Sequence, residues 1–347
     1  MGKTALQAAA LTLSSALIFA GCARTETPAP SGSGTGDSGR PAVVNIGTQQ
    51  IPDDERVAIA KSYFQKELGT KVNVIEFQAG DIRNAMIAKD IDFALLGSSS
   101  AALGIASGMD VEVVWIHDIL GEAEELVARN GTGIRSIQDL KGKKVATPFT
   151  STSHYSLLRA MELNGVPEKN VTLLDMQMPD IYAAWQRGDI DAAYAWDPIL
   201  SSLLKSGAAL LTSGDLAKKG VVTSNVEIVR KDFAQKYPEI VTDYVKAVNQ
   251  AVELYRQSEK EATGAVAGAM NLTEPEALRQ MQGSVWLDAK QQLGSDYLGT
   301  SAKKGGLVDS LTDTADFLYE QKDLASKPSR VSFEQAVNPS YVEKAIR

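Results

Sequence analysis

A strand-helix-strand stretch occurs twice in this chain, shifted by 99 residues (Asp81 to Asp180) and without a gap. In the first copy residues 72–77 read as a strand, 81–88 as a short helix and 91–95 as a second strand; residues 171–176, 180–187 and 190–194 repeat them. Gln78 matches Gln177, Ile82 matches Ile181, Ala85 matches Ala184, and Asp90-Ile91-Asp92 matches Asp189-Ile190-Asp191. A duplicated unit of this kind predicts two related α/β lobes. In open α/β sheets ligands bind beyond the carboxyl ends of the strands. There the first copy leads into Gly97-Ser98-Ser99-Ser100 and the second into Tyr194-Ala195-Trp196-Asp197-Pro198, each ahead of a helical pattern. The repeated aspartates precede strands at turn positions, where Asp serves local hydrogen bonding, so they are not read as a catalytic dyad or as metal ligands.

The rest of the chain fits around that repeat. A strand at 43–48 and a helix at 53–68 open the first lobe, which continues through a strand at 111–116. Near residues 125–128 the chain is expected to cross over, because Asn130-Gly131-Thr132-Gly133 is a turn cluster after which a fresh unit begins. It returns through Asn225-Val226-Glu227-Ile228-Val229, and helical patterns then run to the end, packing onto the first lobe. The expected architecture is α/β and two-lobed. Residues 43–127 and 226–347 form one discontinuous lobe and 128–225 the other, with a two-strand hinge and a ligand cleft between them.

Residues 1–22 have the pattern of an export signal, with Lys3, an apolar stretch too short and polar to span a membrane permanently, and small residues before Cys22. Cys22 is the only cysteine, which leaves no disulfide framework and no cysteine-based metal site; its place makes it the candidate lipidation site. Residues 23–42, rich in Thr, Pro, Ser and Gly, read as a disordered tether reaching on the order of 25 Å. With 35 basic against 43 acidic side chains, the chain is not suited to nucleic acid or to an anionic membrane surface. Two histidines supply a metal site poorly, and neither metal nor cofactor is expected.

A third feature is Phe149-Thr150-Ser151-Thr152-Ser153-His154-Tyr155-Ser156-Leu157-Leu158, which follows an apolar strand and turns into a helical pattern. Its hydroxyls cap the helix, or they join the unpaired N–H groups of the helix start in holding an anion.

These segments resemble a known family, the taurine and aliphatic-sulfonate substrate-binding proteins of bacterial ABC importers, and most closely its taurine-binding branch. The resemblance is carried by Leu96-Gly97-Ser98-Ser99, by residues 148–158, by residues 183–191, by Tyr194-Ala195-Trp196-Asp197-Pro198 and by Val229-Arg230-Lys231-Asp232-Phe233. It implies a type II periplasmic-binding fold, no catalysis, and a monomeric receptor that hands a small sulfonate to a membrane permease with its ATPase. It also implies an anion site made by Ser98 and Ser99 on one lobe and by Ser151, Thr152 and His154 on the other. Gln49, Glu124, Trp196, Asp197 and Asn225 would line the rest of the cleft. Trp196 and Asp197 could meet an amine, although core packing is an equal reading of Trp196. The chain departs from the branch at Thr48, where a Tyr is common before Gln49. It departs again at Asn225 and Glu227, where an acid followed by Trp is common, and in the crowd of Glu122, Glu124 and Glu125.

Other readings remain at this point. The scaffold could take nitrate or a thiamine precursor. A hydrolase could be assembled from Ser153, His154 and Asp175 or Asp180, but no Gly-x-Ser-x-Gly elbow surrounds these serines and His154 directly follows Ser153.

Overall fold

The computed structural model describes residues 39–347. Cys22, the export signal and most of the tether lie outside the described residues. No helix among the described residues is long and apolar enough to cross a membrane.

Three segments build the molecule. The first runs β1 (Val43–Thr48), α1 (Asp54–Ala60), α2 (Tyr63–Leu68), β2 (Lys71–Glu76), α3 (Ala79–Ala88), β3 (Phe93–Gly97), α4 (Ser98–Ala106) and β4 (Val111–Leu120). The second runs β5 (Glu124–Arg129), β6 (Lys144–Thr147), α5 (Thr152–Leu163), β7 (Thr172–Asp175), α6 (Met178–Arg187), β8 (Ala192–Trp196), α7 (Ile199–Leu204), β9 (Gly207–Thr212) and α8 (Ser213–Ala217). The third opens with β10 (Ser224–Arg230), α9 (Lys231–Lys236), α10 (Pro238–Gln257), α11 (Glu259–Met270) and α12 (Glu274–Met281). It ends with β11 (Ser284–Val285), α13 (Ala289–Gln292), α14 (Leu307–Glu320), α15 (Arg330–Ala336) and α16 (Ser340–Ala345).

One sheet has the order β11-β4-β10-β3-β1-β2 and the other β7-β6-β8-β5-β9. The duplicated unit takes the same place in both. β2 and β3 flank β1 in parallel, and β7 and β8 flank β6 in parallel. An antiparallel strand then follows each, β10 beside β3 and β5 beside β8. The repeated aspartates secure this arrangement. Asp92 Oδ2 accepts from the Asn45 N–H at 2.8 Å, and Asp191 Oδ2 accepts from the Lys144 N–H at 2.9 Å. Each pins its strand to the central one, the local role expected of Asp at a turn.

The chain passes between the sheets earlier than the expected boundary at 127/128. Glu124 already pairs with Trp196, and Leu126, Val127 and Ala128 are buried in the second lobe's cores, so β5 belongs there. The passage itself, residues 121–123, is pressed by the turn after α12. A β-carbon on Gly121 would lie 2.7 Å from the Gly283 carbonyl, which is why only glycine fits. The chain has returned by Asn225, which pairs with Gly97 and with Asp118.

Two helices differ from expectation. The helix predicted over 53–68 breaks at Ser62, whose φ of 56° is left-handed, and divides into α1 and α2. α14, predicted to pack on the first lobe, serves both. Leu311, Ala315 and Leu318 enter the larger core, while Phe317 meets Tyr155 edge-on at 5.4 Å in the second lobe. The larger core centres on α10, whose Val241, Val245, Val248 and Val252 form one buried stripe worth about 1.5–3 kcal/mol per side chain. Phe93 stacks on Tyr244 at 4.4 Å beneath it.

Candidate ligand-binding site

A cavity of about 650 Å³ opens where the carboxyl ends of both sheets meet. Helix starts from the two lobes converge on it: Ala79 opens α3, Gly97 and Ser100 lie at the start of α4, and Thr150, Ser151 and Thr152 lead into α5. The starts of α3 and α4 carry no side-chain cap, so their first N–H groups and helix dipoles are left to face the cavity. The opposite wall is acidic, with Asp118, Glu124 and Asp197, and no Lys, Arg or His is among the described residues that line the cavity. Donors on one side and carboxylates on the other suit a small ligand with an anionic and a cationic end.

Of the residues singled out in the sequence, the structure brings Gln49, Glu124, Ser151, Thr152, Trp196, Asp197 and Asn225 to the cavity. Several are engaged otherwise than expected. Glu124 is sealed at the passage between lobes; its Oε2 accepts from the hydroxyls of Thr152 at 2.5 Å and Ser153 at 2.8 Å, and its Oε1 from Ser213 at 2.7 Å. Burial pushes its carboxyl up, against those three hydroxyls. Ser151 Oγ donates to the Pro148 carbonyl and accepts from the His154 N–H, as an N-cap does. The hydroxyl protons of Ser151, Thr152 and Ser153 are therefore spent within the second lobe. What remains for an anion are the N–H groups of Thr152 and Ser153 at the start of α5, since that of His154 is taken by Ser151.

Three residues expected in the anion site do not line the cavity. Ser98 and Ser99 are buried; Ser98 Oγ accepts from the Ser224 N–H at 3.2 Å, and Ser100 is the member of the run at the cavity. Successive helix residues point about 100° apart, so three consecutive serines cannot share one face. His154 stacks flat on Phe149 at 4.3 Å and accepts the Thr150 N–H on Nδ1. Burial holds its pKa down to about 4, so it is a neutral prop for the Phe149–Thr150 turn.

Asp197 is only 2% exposed and caps the start of α7 through the Ser201 N–H and hydroxyl, while Arg279 on α12 reaches across from the other lobe to 3.3 Å. Asp118 was not foreseen. It lines the cavity from β4, accepts from Asn225 Nδ2 at 2.9 Å, and is pushed up to about 6 by burial. In the sequence it is one acid at the end of an apolar strand, with no signal of which way it points.

Comparison with known proteins gives this geometry its context. Residues 42–277 match the family described as the substrate-binding domain of ABC-type glycine betaine transport system. The taurine-binding periplasmic protein of Escherichia coli strain K12 is 34% identical over 285 residues, 80% of this chain and 86% of that protein. The chain belongs to the sulfonate-binding family of ABC-importer substrate-binding proteins. The alkanesulfonate-binding protein of Xanthomonas axonopodis pv. citri, solved bound to MOPS, superposes with a TM-score of 0.71 at 22% identity, over 86% of this chain and 98% of that one. The periplasmic aliphatic sulphonate binding protein of Escherichia coli gives 0.68 at 22% identity, over 86% and 92%. These likenesses carry the two-lobed binding-protein fold.

As a member of this sulfonate-binding family the protein binds solute and is not an enzyme. The triad considered from the sequence is not assembled among the described residues, since the Ser153 hydroxyl is held by Glu124 and His154 faces Phe149 and Thr150. Of the family departures noted in the sequence, Asn225 and Glu124 line the cavity, whereas Thr48 and Glu227 lead away from it. Thr48 donates to Glu55 at 2.6 Å, and Glu227 is bound to His117 at 2.9 Å, both fully buried.

Proposed function

We propose that this receptor captures taurine, or a closely related aminosulfonate, by closing its lobes, and hands it to an ABC permease with its ATPase. The observation that carries the reading is the two-sided cavity. Uncapped helix starts on α3 and α4 face a sulfonate, while Asp118 offers a carboxylate to an ammonium. The acid common to the taurine-binding branch near Asn225 is absent, but Asp118 stands directly opposite Asn225 in the ladder and supplies the charge from the neighbouring strand. A bare inorganic anion such as nitrate is disfavoured by the same three acids. A flat pyrimidine finds only Phe149 and Trp196 as aromatic walls. The 34% identity to a taurine-binding protein points the same way. The receptor is read as an exported monomer, anchored through Cys22 on the outer face of the cytoplasmic membrane or held in the periplasm.

Calorimetric titration with taurine, ethanesulfonate, nitrate and a hydroxymethylpyrimidine tests the ligand. Taurine is expected to bind tightly and ethanesulfonate at least about tenfold more weakly, the cost of about 1.4 kcal/mol for losing the ammonium partner. Equal binding of the two sulfonates would leave an alkanesulfonate receptor. For the anchor, a Cys22→Ser protein is expected to lose fatty-acid labelling.

A further inference from the structure

Along the cavity wall made by β4 and β10 lie five acids and one imidazole, all with at most 2% exposure: Asp118 at the cavity, and Asp53, Asp54, Glu55, Glu227 and His117 behind it. His117 sits at the centre. Its Nδ1 is 2.6 Å from Asp54 Oδ1 and its Nε2 is 2.9 Å from Glu227 Oε2. Trp115 Nε1 donates to the other Asp54 oxygen at 2.7 Å and fixes that carboxylate. A ring with a carboxylate oxygen at each nitrogen is best satisfied as an imidazolium donating both protons.

The surroundings of His117 leave it as the counter-charge of the group. From α1 and its cap it is faced by Asp53, Asp54 and Glu55 and from β10 by Glu227, while Tyr244 of α10 meets Glu227 and donates to Glu55 at 2.8 Å. Arg56 turns away, to the Gln49 carbonyl and to Glu76. The same atoms include two sets, Asp53, Asp54, His117 and Glu55, His117, Glu227, whose donors lie within 4.8 Å of one another. Both ring nitrogens are already opposed by carboxylates, so a proton on each accounts for the contacts without a metal ion.

Asp118 is the next residue, and the backbone explains how neighbours can serve two different places. The ladder slips at this point: Asn225 faces Asp118 but Val226 faces Ile116, which makes His117 the extra residue of a β-bulge. Bulges break strict alternation and re-aim side chains. Asp118 reaches the cavity while His117 is held behind it.

We propose that His117 is a positioning residue for ligand binding, the buried counter-cation that keeps Asp118 an aimed carboxylate and so gives the cleft its preference for a ligand with a cationic end. The proposal deepens the aminosulfonate reading and rests on it. Burial and the charge of Asp54 both disfavour an ionised Asp118; hydrogen bonds from Ser284 and Asn225 oppose them, and His117 is the cation that does so by charge.

The experiment has an arm that needs no ligand. Carbon-13 NMR of the aspartate carboxyls is expected to show Asp118 titrating about two pH units or more higher in His117→Gln than in the parent. At pH 7 the same variant should lose about tenfold or more in taurine affinity, keep its ethanesulfonate affinity, and regain taurine binding as the pH is raised through the new Asp118 midpoint. An unmoved Asp118 midpoint, or equal losses for both sulfonates, overturns the proposal. Should His117→Gln fail to fold, nitrogen-15 NMR of the parent ring decides: an imidazolium at pH 7 supports the proposal and a neutral ring overturns it. Stoichiometric zinc or manganese in the purified protein would also overturn it. If the parent protein fails to prefer taurine over ethanesulfonate, the aminosulfonate reading and the specificity role fall together, while the Asp118 titration still decides whether His117 sets its charge.

Discussion

Gly97 and Thr152 meet across the cleft so closely that a β-carbon on Gly97 would lie 3.0 Å from Thr152 Cγ2. Gly97 precedes α4 on the first lobe and Thr152 opens α5 on the second, so this contact sets how near the two helix starts can approach. The φ of Gly97 is −61°, a value any residue adopts, and the need for glycine is therefore one of space. Gly97→Val is expected to weaken taurine binding by about 5- to 100-fold, the equivalent of an overpacking cost of about 1–3 kcal/mol. Its thermal midpoint without ligand should stay near that of the parent. Calorimetry and a melting scan check both halves, and an equal fall in ligand-free stability would place the clash in folding rather than in closure.

Glu124 is a structural bolt more than a ligand contact, because three hydroxyls from α5 and α8 donate to it in a sealed site. Removing the carboxylate leaves those donors without their acceptor, each at a cost of about 1–3 kcal/mol before relaxation. Glu124→Ala is expected to lose more than about 2 kcal/mol in urea unfolding, and Glu124→Gln markedly less because its amide oxygen still accepts. Matching losses in the two variants would argue that packing, not the hydrogen bonds, is what Glu124 provides.

What the sequence disclosed and what it hid divide along a physical line. The repeat was legible because each copy carries its own local signals, from the strand patterns to Asp92 and Asp191, whose bonds to the neighbouring strand are made the same way in both halves. The start of α5 was legible because Ser151 caps it within three residues. The partners of Glu124 come from 28, 29 and 89 residues away, and no local pattern announces them. The direction of Asp118 depends on a bulge in β4, and the choice of Ser100 over Ser98 and Ser99 depends on the rotational phase of α4 against its sheet. Both are set by packing between elements. The same holds for Ser62, which breaks a sequence that reads as one helix.

Arg279 and Asp197 form an ion pair between α12 of the first lobe and the start of α7 on the second, and it can form only when the lobes are together. Asp197 is buried but the Arg279 side chain is 49% exposed, so solvent screens the pair and its worth is modest. Arg279→Gln is expected to raise the ligand dissociation rate by about 3- to 10-fold with little change in association, since a latch made after docking acts on the exit step. Stopped-flow fluorescence of Trp196 at two salt concentrations checks it. A change confined to the association rate would show instead that Arg279 steers the ligand inward.

The buried acids give stability a pH dependence whose direction can be worked out. Burial pushes Asp118 up to about 6 and Glu125 to about 7, above the ordinary carboxylate values they regain on unfolding, while Asp54 and Glu227 hold His117 well above the ordinary imidazole value against its burial. Between the ordinary and the raised values the folded protein binds more protons than the unfolded chain, so its stability falls as the pH rises. His154, held down to about 4, acts oppositely: the unfolded chain binds its proton more readily, so its contribution to stability grows with pH between about 4 and 6.5. Asp118, Glu125 and His117 against His154 leave a net decline, and above pH 6.5 nothing from His154 remains to offset it. The thermal midpoint is expected to fall steadily from pH 6.5 to 8.5. Glu125→Gln, which keeps the size but cannot ionise, should flatten the part of that fall near pH 7. A midpoint that rises over this range would mean that these carboxylates are ionised and well paired in the folded protein.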